Sequence, residues 1–269
     1  MLRLLSYNVR YDTPIDGDHG WPHRREQVAE LLTRYQPDLL GLQEVRHNQL
    51  QALLAHLPDY DWLGVGREDG ACAGEYVPIF YRRDRFAPLD GATFWLSETP
   101  ALAGSRGWDA AYPRIATWSR LLDKETGVTL LHLNTHFDHR GEMARLESAH
   151  LLRRFIMEQT GDIPLFVSGD FNCTSETLPY QVLTMAEAGH APLLYDAMRI
   201  SESPHFGPEA TTNNRFRNPL GGKIDYIFCR PMPQVRVLRH DVLVDQWDGC
   251  YPSDHLPVLV DFAITSYPS

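Results

Sequence analysis

Acids, amides and histidines recur where apolar runs begin or stop, so strands would deliver them to a common edge. The run Ile163 to Val167 stops at Ser168-Gly169 and is followed by Asp170 and Asn172, with one aromatic residue between them. Earlier runs lead to Asn8, to Glu44 and to Asn134-Thr135-His136-Phe137-Asp138-His139. Lys223-Ile224-Asp225 opens another run, and Ser253-Asp254-His255 precedes the last. Carboxylate and amide oxygens suit a hard divalent cation. A histidine oriented by an acid suits proton transfer or the gripping of an anion. Any one of these signals is more often a turn residue or a surface ion pair. Their recurrence along one chain argues for shared chemistry.

Positioning them calls for strands alternating with helices. Leu2 to Ser6 reads as a first strand, followed by an Asp-, Gly- and Pro-rich loop from Asp12 to Pro22. Arg24 to Tyr35 has Val28, Leu31, Leu32 and Tyr35 at helical spacing, and Pro37 ends it. Leu39 to Leu42 is a short buried strand, and His47 to Leu57 a second helix. Between Tyr60 and Trp95 the pattern turns to strands, with candidates at Tyr76 to Tyr81 and Arg85 to Leu89. Ser97 to Pro113 is a long irregular stretch, and such loops are usually functional. Ile115 to Leu122 and Val128 to Asn134 form a hairpin, and Glu142 to Gln159 an amphipathic helix. Helix is expected over Thr177 to Ala188, loop over Gly189 to Gly222, then strands at Ile224 to Cys229, Val235 to Val244 and Leu256 to Ala263. With no internal repeat and polar motifs spread along the whole length, a single domain over residues 1–269 with two sheets is expected.

The balance of 25 Lys and Arg against 35 Asp and Glu, net −10, disfavours tight nonspecific binding to duplex DNA. The four cysteines have neither zinc-finger nor redox spacing, which fits reduced thiols in the cytoplasm. No apolar run approaches the roughly 20 residues of a membrane span, and the first apolar stretch is too short for a signal-peptide core. Neither a membrane nor a protein partner is indicated.

In the order YNVR, LQE, NTHFDH, GDFN, KIDYIF and SDH, spanning Asn8 to His255, the chain resembles the endonuclease/exonuclease/phosphatase superfamily, the group that includes deoxyribonuclease I. Within it, WLSETP, GSRGWDA and RIATW, between Trp95 and Trp118, are similar to a bacterial branch of metal-dependent hydrolases. The resemblance implies an α/β fold, a four-layer sandwich of two mixed β-sheets packed face to face with helices outside. It also implies that Asn8, Glu44 and Asp254 are metal ligands, an all-oxygen set suited to Mg²⁺ or Mn²⁺. Phosphate-ester hydrolysis then assigns His255 to a phosphate oxygen or to general-base work, with Asp225 orienting it. Asp170 activates or positions the attacking water, Asn172 holds charge developing on phosphorus, and His136 makes a second phosphate contact. Arg114, Asn134 and Asp138 are candidate substrate contacts; Asn134 and Asp138 have the equal alternative of bracing the His136 loop, and Arg114 that of a rim ion pair.

Abasic-site endonucleases carry an acid where this chain has Arg10, and secreted deoxyribonucleases carry disulfides. The expectation is therefore a Mg²⁺- or Mn²⁺-dependent hydrolase of a phosphodiester, or of a phosphomonoester, on a small or single-stranded substrate. Its pocket is expected between the loops Asp12 to Pro22, Ser97 to Pro113 and Gly189 to Gly222, with Trp21, Trp95, Trp108 and Phe216 either as stacking surfaces or as lids over a structural core, the structural reading being preferred for Trp95. The rival readings are a nuclease or repair phosphodiesterase and a catalytically inactive binding protein. No acid is missing at Glu44, Asp170 or Asp254, which argues against the latter.

Overall fold

The computed structural model describes residues 1–159, 163–186 and 192–265. Its layering follows from the period of two in β1 (Leu2–Asn8). Leu2 and Leu4 face a second sheet, whereas Leu5 and Tyr7 face helices on the outside. Helix α1 (Trp21–Tyr35) returns the chain to β2 (Leu39–Gln43), which pairs parallel with β1. After α2 (His47–His56), strands β3 (Tyr60–Leu63) and β4 (Ile79–Arg82) extend this sheet.

The second sheet starts with β5 (Phe86–Trp95), β6 (Ile115–Asp123) and β7 (Thr129–His136). Helix α3 (Glu142–Gln159) leads into β8 (Leu165–Asp170), parallel to β7. Beyond α4 (Leu178–Thr184) come β9 (Tyr195–Asp196), α5 (Ala197–Ile200) and a small hairpin of β10 (Asn213–Asn214) and β11 (Asn218–Pro219). Strand β12 (Asp225–Cys229) completes the second sheet, and β13 (Val235–Val242) and β14 (Val258–Ile264) complete the first. The orders are β13-β14-β1-β2-β4-β3 and β5-β6-β7-β8-β12-β9, six strands each. Each sheet thus has one parallel pair joined by a crossover helix, as parallel pairing requires.

Three apolar layers hold the four structural layers together. One lies between the sheets, with Leu4, Phe166 and Phe262; the others pack α1 and α2, or α3 and α4, on the outer faces. Each fully buried Leu or Phe contributes about 1.5–3 kcal/mol. Local differences from the sequence reading have local causes. Helix α1 starts at Trp21 rather than Arg24 because Pro22 supplies a favourable first turn. Strand β5 continues through Pro88 and Gly91 to Trp95, with a register shift beside Pro88, because it is an edge strand that tolerates a missing donor. Helix α4 stops at Thr184, where Met185 turns extended, and Ala188 lies outside the described residues. The Gly189 to Gly222 loop is likewise described only from residue 192 onward, and there it contains β9, α5 and the small hairpin.

Candidate active site

Register alone aligns three polar groups across the second sheet. His136 pairs with Asp170 between β7 and β8, and Asp170 pairs with Asp225 between β8 and β12. In the first sheet Asn8 pairs with Gln43, which sets Glu44 one residue beyond β2. The sheets meet here: Asn8 Nδ2 donates to Asp170 Oδ2 at 3.0 Å and to Glu44 Oε1 at 3.1 Å. The Ser253 hydroxyl donates to Asn8 O at 2.7 Å, tying the Asp254-His255 loop to the end of β1. His255 Nδ1 lies 2.9 Å from Asp225 Oδ2, and its Nε2 lies 3.8 Å from Asp170 Oδ2. Three residues here, Arg10, Glu44 and Asn172, hold left-handed backbone with φ of 56°, 61° and 48°. Side chains other than Gly adopt it at a cost, and the cost concentrates at functional sites.

The environments separate the titrating groups. Burial pushes the Asp170 carboxyl up to about 7, and neighbouring Asp225 adds to the effect. Burial alone would lower the His255 imidazole, but Asp225 and Asp170 overcome it and hold His255 well above its ordinary value. His136 goes the other way: burial, then the Arg114 and Arg67 guanidinium groups, lower it far below its usual range. Such divergence in one cleft is how a fold sets out acid and base roles.

Glu44 and Asp254 fit a cation by chemistry and by charge. Asp254 is raised by burial against the pull of His255, with Glu44 adding like-charge repulsion that a cation would relieve. Arg10 Nη1 approaches Asp254 Oδ2 only to 3.7 Å, while its Nε and Nη2 clasp Asp16 at 3.0 Å each. The expected third ligand, Asn8, lies at the same place. Its amide oxygen accepts Arg10 N–H at 3.0 Å, and its Nδ2 faces the Glu44 and Asp170 carboxylates. Asp170, Asp225 and His255 also bring potential ligand atoms within 4.8 Å of one another.

Asn172 N donates to Asp170 Oδ1 at 2.9 Å, and Asn172 Nδ2 lies 3.1 Å from His136 Nε2. Thus Asn8, Glu44, His136, Asp170, Asn172, Asp225, Asp254 and His255 all come together.

Two candidate substrate contacts do not reach this surface. Asn134, fully buried between the sheets, donates to Leu42 O and Pro78 O and accepts from Gln43 Nε2 and Ser168 Oγ. Asp138 is committed to the Arg140, Gly141 and Ala111 N–H groups and to Arg114 Nε. Both brace the site from beneath. Arg114 touches His136, His139 and Asp138 from a position only 5% exposed.

Most of the candidate aromatic residues take the structural one of their two expected roles. Trp21, Trp95 and Phe216 are buried, with Trp95 Nε1 donating to Arg67 O and Phe216 stacked on His19 at 4.7 Å. They fasten loops to the body, and of the four only Trp108 keeps partial exposure. Arg67 and Glu75, a buried pair at 2.6 Å beside this wall, carried no sequence signal because they lie in a Gly-rich loop outside any motif.

A family model described as "Endonuclease/Exonuclease/phosphatase family" matches residues 5–255. The chain belongs to this family. Among solved family structures it is similar to a Bacteroides vulgatus endonuclease/exonuclease/phosphatase at 42% identity and TM-score 0.91, with 98% of each chain covered. It is also similar to a Bacteroides thetaiotaomicron mannosyl-6-phosphatase at 34% identity and TM-score 0.89, covering 98% of this chain and 100% of that one. Human nocturnin is 29% identical over 91% of this chain, which spans 59% of nocturnin's length. The family makes this chain a hydrolase of phosphate esters. Among the described residues no helix is long and apolar enough to cross a membrane.

Proposed function

We propose that this chain is a divalent-cation-dependent phosphoesterase that hydrolyses a small phosphate ester by in-line attack of water. The observation that carries the reading is the alignment of His136, Asp170 and Asp225 across three strands, with Glu44 and Asp254 facing them from the other sheet. Glu44 and Asp254 would hold Mg²⁺ or Mn²⁺, whose chemistry is to neutralise phosphoryl oxygens. Asp170, near neutrality in its proton affinity, takes the proton of the attacking water. His255, kept cationic by Asp225 and Asp170, and His136 hold the phosphoryl oxygens, and Asn172 supports charge developing there.

The 34% identity to a mannosyl-6-phosphatase supports a small phosphomonoester, such as a sugar phosphate, ahead of the phosphodiester expected from sequence. The net charge of −10 weighs against duplex nucleic acid. The site draws on residues from Asn8 to His255, which supports one domain over 1–269, and four unpaired thiols support a cytoplasmic setting.

Steady-state assays on sugar phosphates, a chromogenic phosphomonoester, its methyl diester and a single-stranded oligonucleotide, with Mg²⁺ or Mn²⁺, test this. Preference for the monoesters is expected. Preference for the oligonucleotide, with affinity falling steeply in salt, would replace it with a nuclease reading.

A further inference from the structure

We infer that Arg114 is a positioning residue that locks His136 in one tautomer, with its proton on Nε2. The inference rests on His136 serving a phosphoesterase site, but its geometry is independent of the substrate. Arg114 Nη1 points at His136 Nδ1 at 3.0 Å. A guanidinium has donors and no acceptor, so Nδ1 must accept and can carry no hydrogen. The neutral ring therefore keeps its single proton on Nε2, which faces Asp170 Oδ2 at 3.3 Å.

One neighbour opposes this arrangement. Asn172 Nδ2 lies 3.1 Å from the same Nε2, and its other hydrogen bond, to Phe137 O at 3.0 Å, fixes which end of the amide is there. A neutral amide on one nitrogen competes with a guanidinium on the other and a carboxylate beside Nε2. Charge-assisted hydrogen bonds are roughly twice as strong as neutral ones, so the guanidinium prevails.

Arg114 is itself held rigidly. Its Nε faces Asp138 Oδ2 at 3.4 Å, and its Nη2 donates to His139 Nδ1 at 3.0 Å. Asp138 in turn receives three backbone N–H groups from Ala111, Arg140 and Gly141. The long loop and the start of α3 thereby reach His136 through one side chain. The consequence is a division of labour between the two histidines. His255 has a carboxylate on Nδ1 and His136 has a guanidinium there. His136 can offer a fixed N–H to a phosphoryl oxygen, and it cannot serve as a general base while Arg114 occupies its only lone pair.

The test is ¹⁵N NMR of selectively histidine-labelled protein, with His136→Gln used to assign the resonance. In the wild type, the Nε2–H tautomer should persist through the neutral range. Arg114→Lys should keep it, Asn172→Ala should leave it unchanged, and Arg114→Glu, which replaces a donor by an acceptor, should flip it to Nδ1–H. On the best phosphomonoester, Arg114→Glu should lower kcat by about 10²-fold or more while KM changes less, and Arg114→Lys should recover most of it. A wild-type His136 carrying its proton on Nδ1, or an Arg114→Glu enzyme with a flipped tautomer and unchanged kcat, would overturn the inference. The wild-type spectrum decides even if the variants do not fold. An Nε2–H spectrum with no phosphate ester turned over would leave the lock standing and reject the phosphoesterase reading instead.

Discussion

Asp170 and Asp225 are direct register partners on adjacent antiparallel strands, and His255 is the group that lets two carboxylates stand together. Its imidazole touches Asp225 at 2.9 Å and approaches Asp170 at 3.8 Å, so its positive charge is shared between them. Asp225→Asn removes the partner that orients His255 Nδ1. We expect kcat for the best phosphate ester to fall by about 10²–10⁴-fold with the fold retained. Kinetics alongside circular dichroism check this, and a loss below tenfold would show that Asp225 does not orient the reaction.

Gly41 is a point of close approach between the two sheets beneath the site. A Cβ there would lie 2.1 Å from Ser168 Oγ and 2.7 Å from Asn134 Oδ1. Gly41→Ala should therefore cost about 1–3 kcal/mol through overpacking. Adding Ser168→Ala removes the nearer clash and should return part of that loss, a coupling that a double-mutant cycle in urea would read. Strict additivity of the two changes would mean that the sheets relax apart instead.

These buried contacts mark the limit of what the chain's pattern could reveal. His136 and Asn134 lie two residues apart on β7, so a period of two puts both on the inner face. Spacing gives the face and not the depth. His136 reaches the cleft, whereas Asn134 is covered by the first sheet through Gln43 and the backbone of Leu42 and Pro78. The strand ends carrying Asp170, Asp225 and Glu44 were legible because an apolar run stops or starts beside each. Arg67 and Glu75 were not, since their pairing depends on how a long loop folds back. The aromatic residues stayed ambiguous because a Trp in or beside a loop reads alike whether it lines a pocket or anchors the loop to the core.

His132 gives a stability prediction with a definite sign. It is fully buried, its Nε2 lies 2.8 Å from Ser168 Oγ, and burial lowers its pKa from 6.5 to about 3. Below the unfolded value the unfolded chain takes up a proton that the native protein refuses, so stability is lost as pH falls from 6.5 towards 3. At about pH 5 this one group should cost up to about 2 kcal/mol relative to neutral pH. Urea titrations at about pH 7.5 and about pH 5 should show a smaller gap for His132→Gln than for wild type. An unchanged gap would place the acid sensitivity elsewhere, with the buried His240 the next group to change.

Arg67 and Glu75 form a buried ion pair at 2.6 Å, with side chains 7% and 10% exposed. Arg67→Met leaves the Glu75 charge uncompensated and should destabilise the protein by about 3–5 kcal/mol. The double change with Glu75→Gln should recover much of that loss. Thermal denaturation would detect it, and equal destabilisation by the single and double variants would contradict a role in charge compensation.

The most direct test of the central claim is the turnover of a small phosphomonoester by wild type and Asp170→Asn, each measured with Mg²⁺ or Mn²⁺ and again after exhaustive chelation. Wild-type turnover should depend on the added cation, and Asp170→Asn should lose at least about 10²-fold. Near-wild-type turnover by Asp170→Asn, or wild-type activity that survives chelation, would contradict that claim.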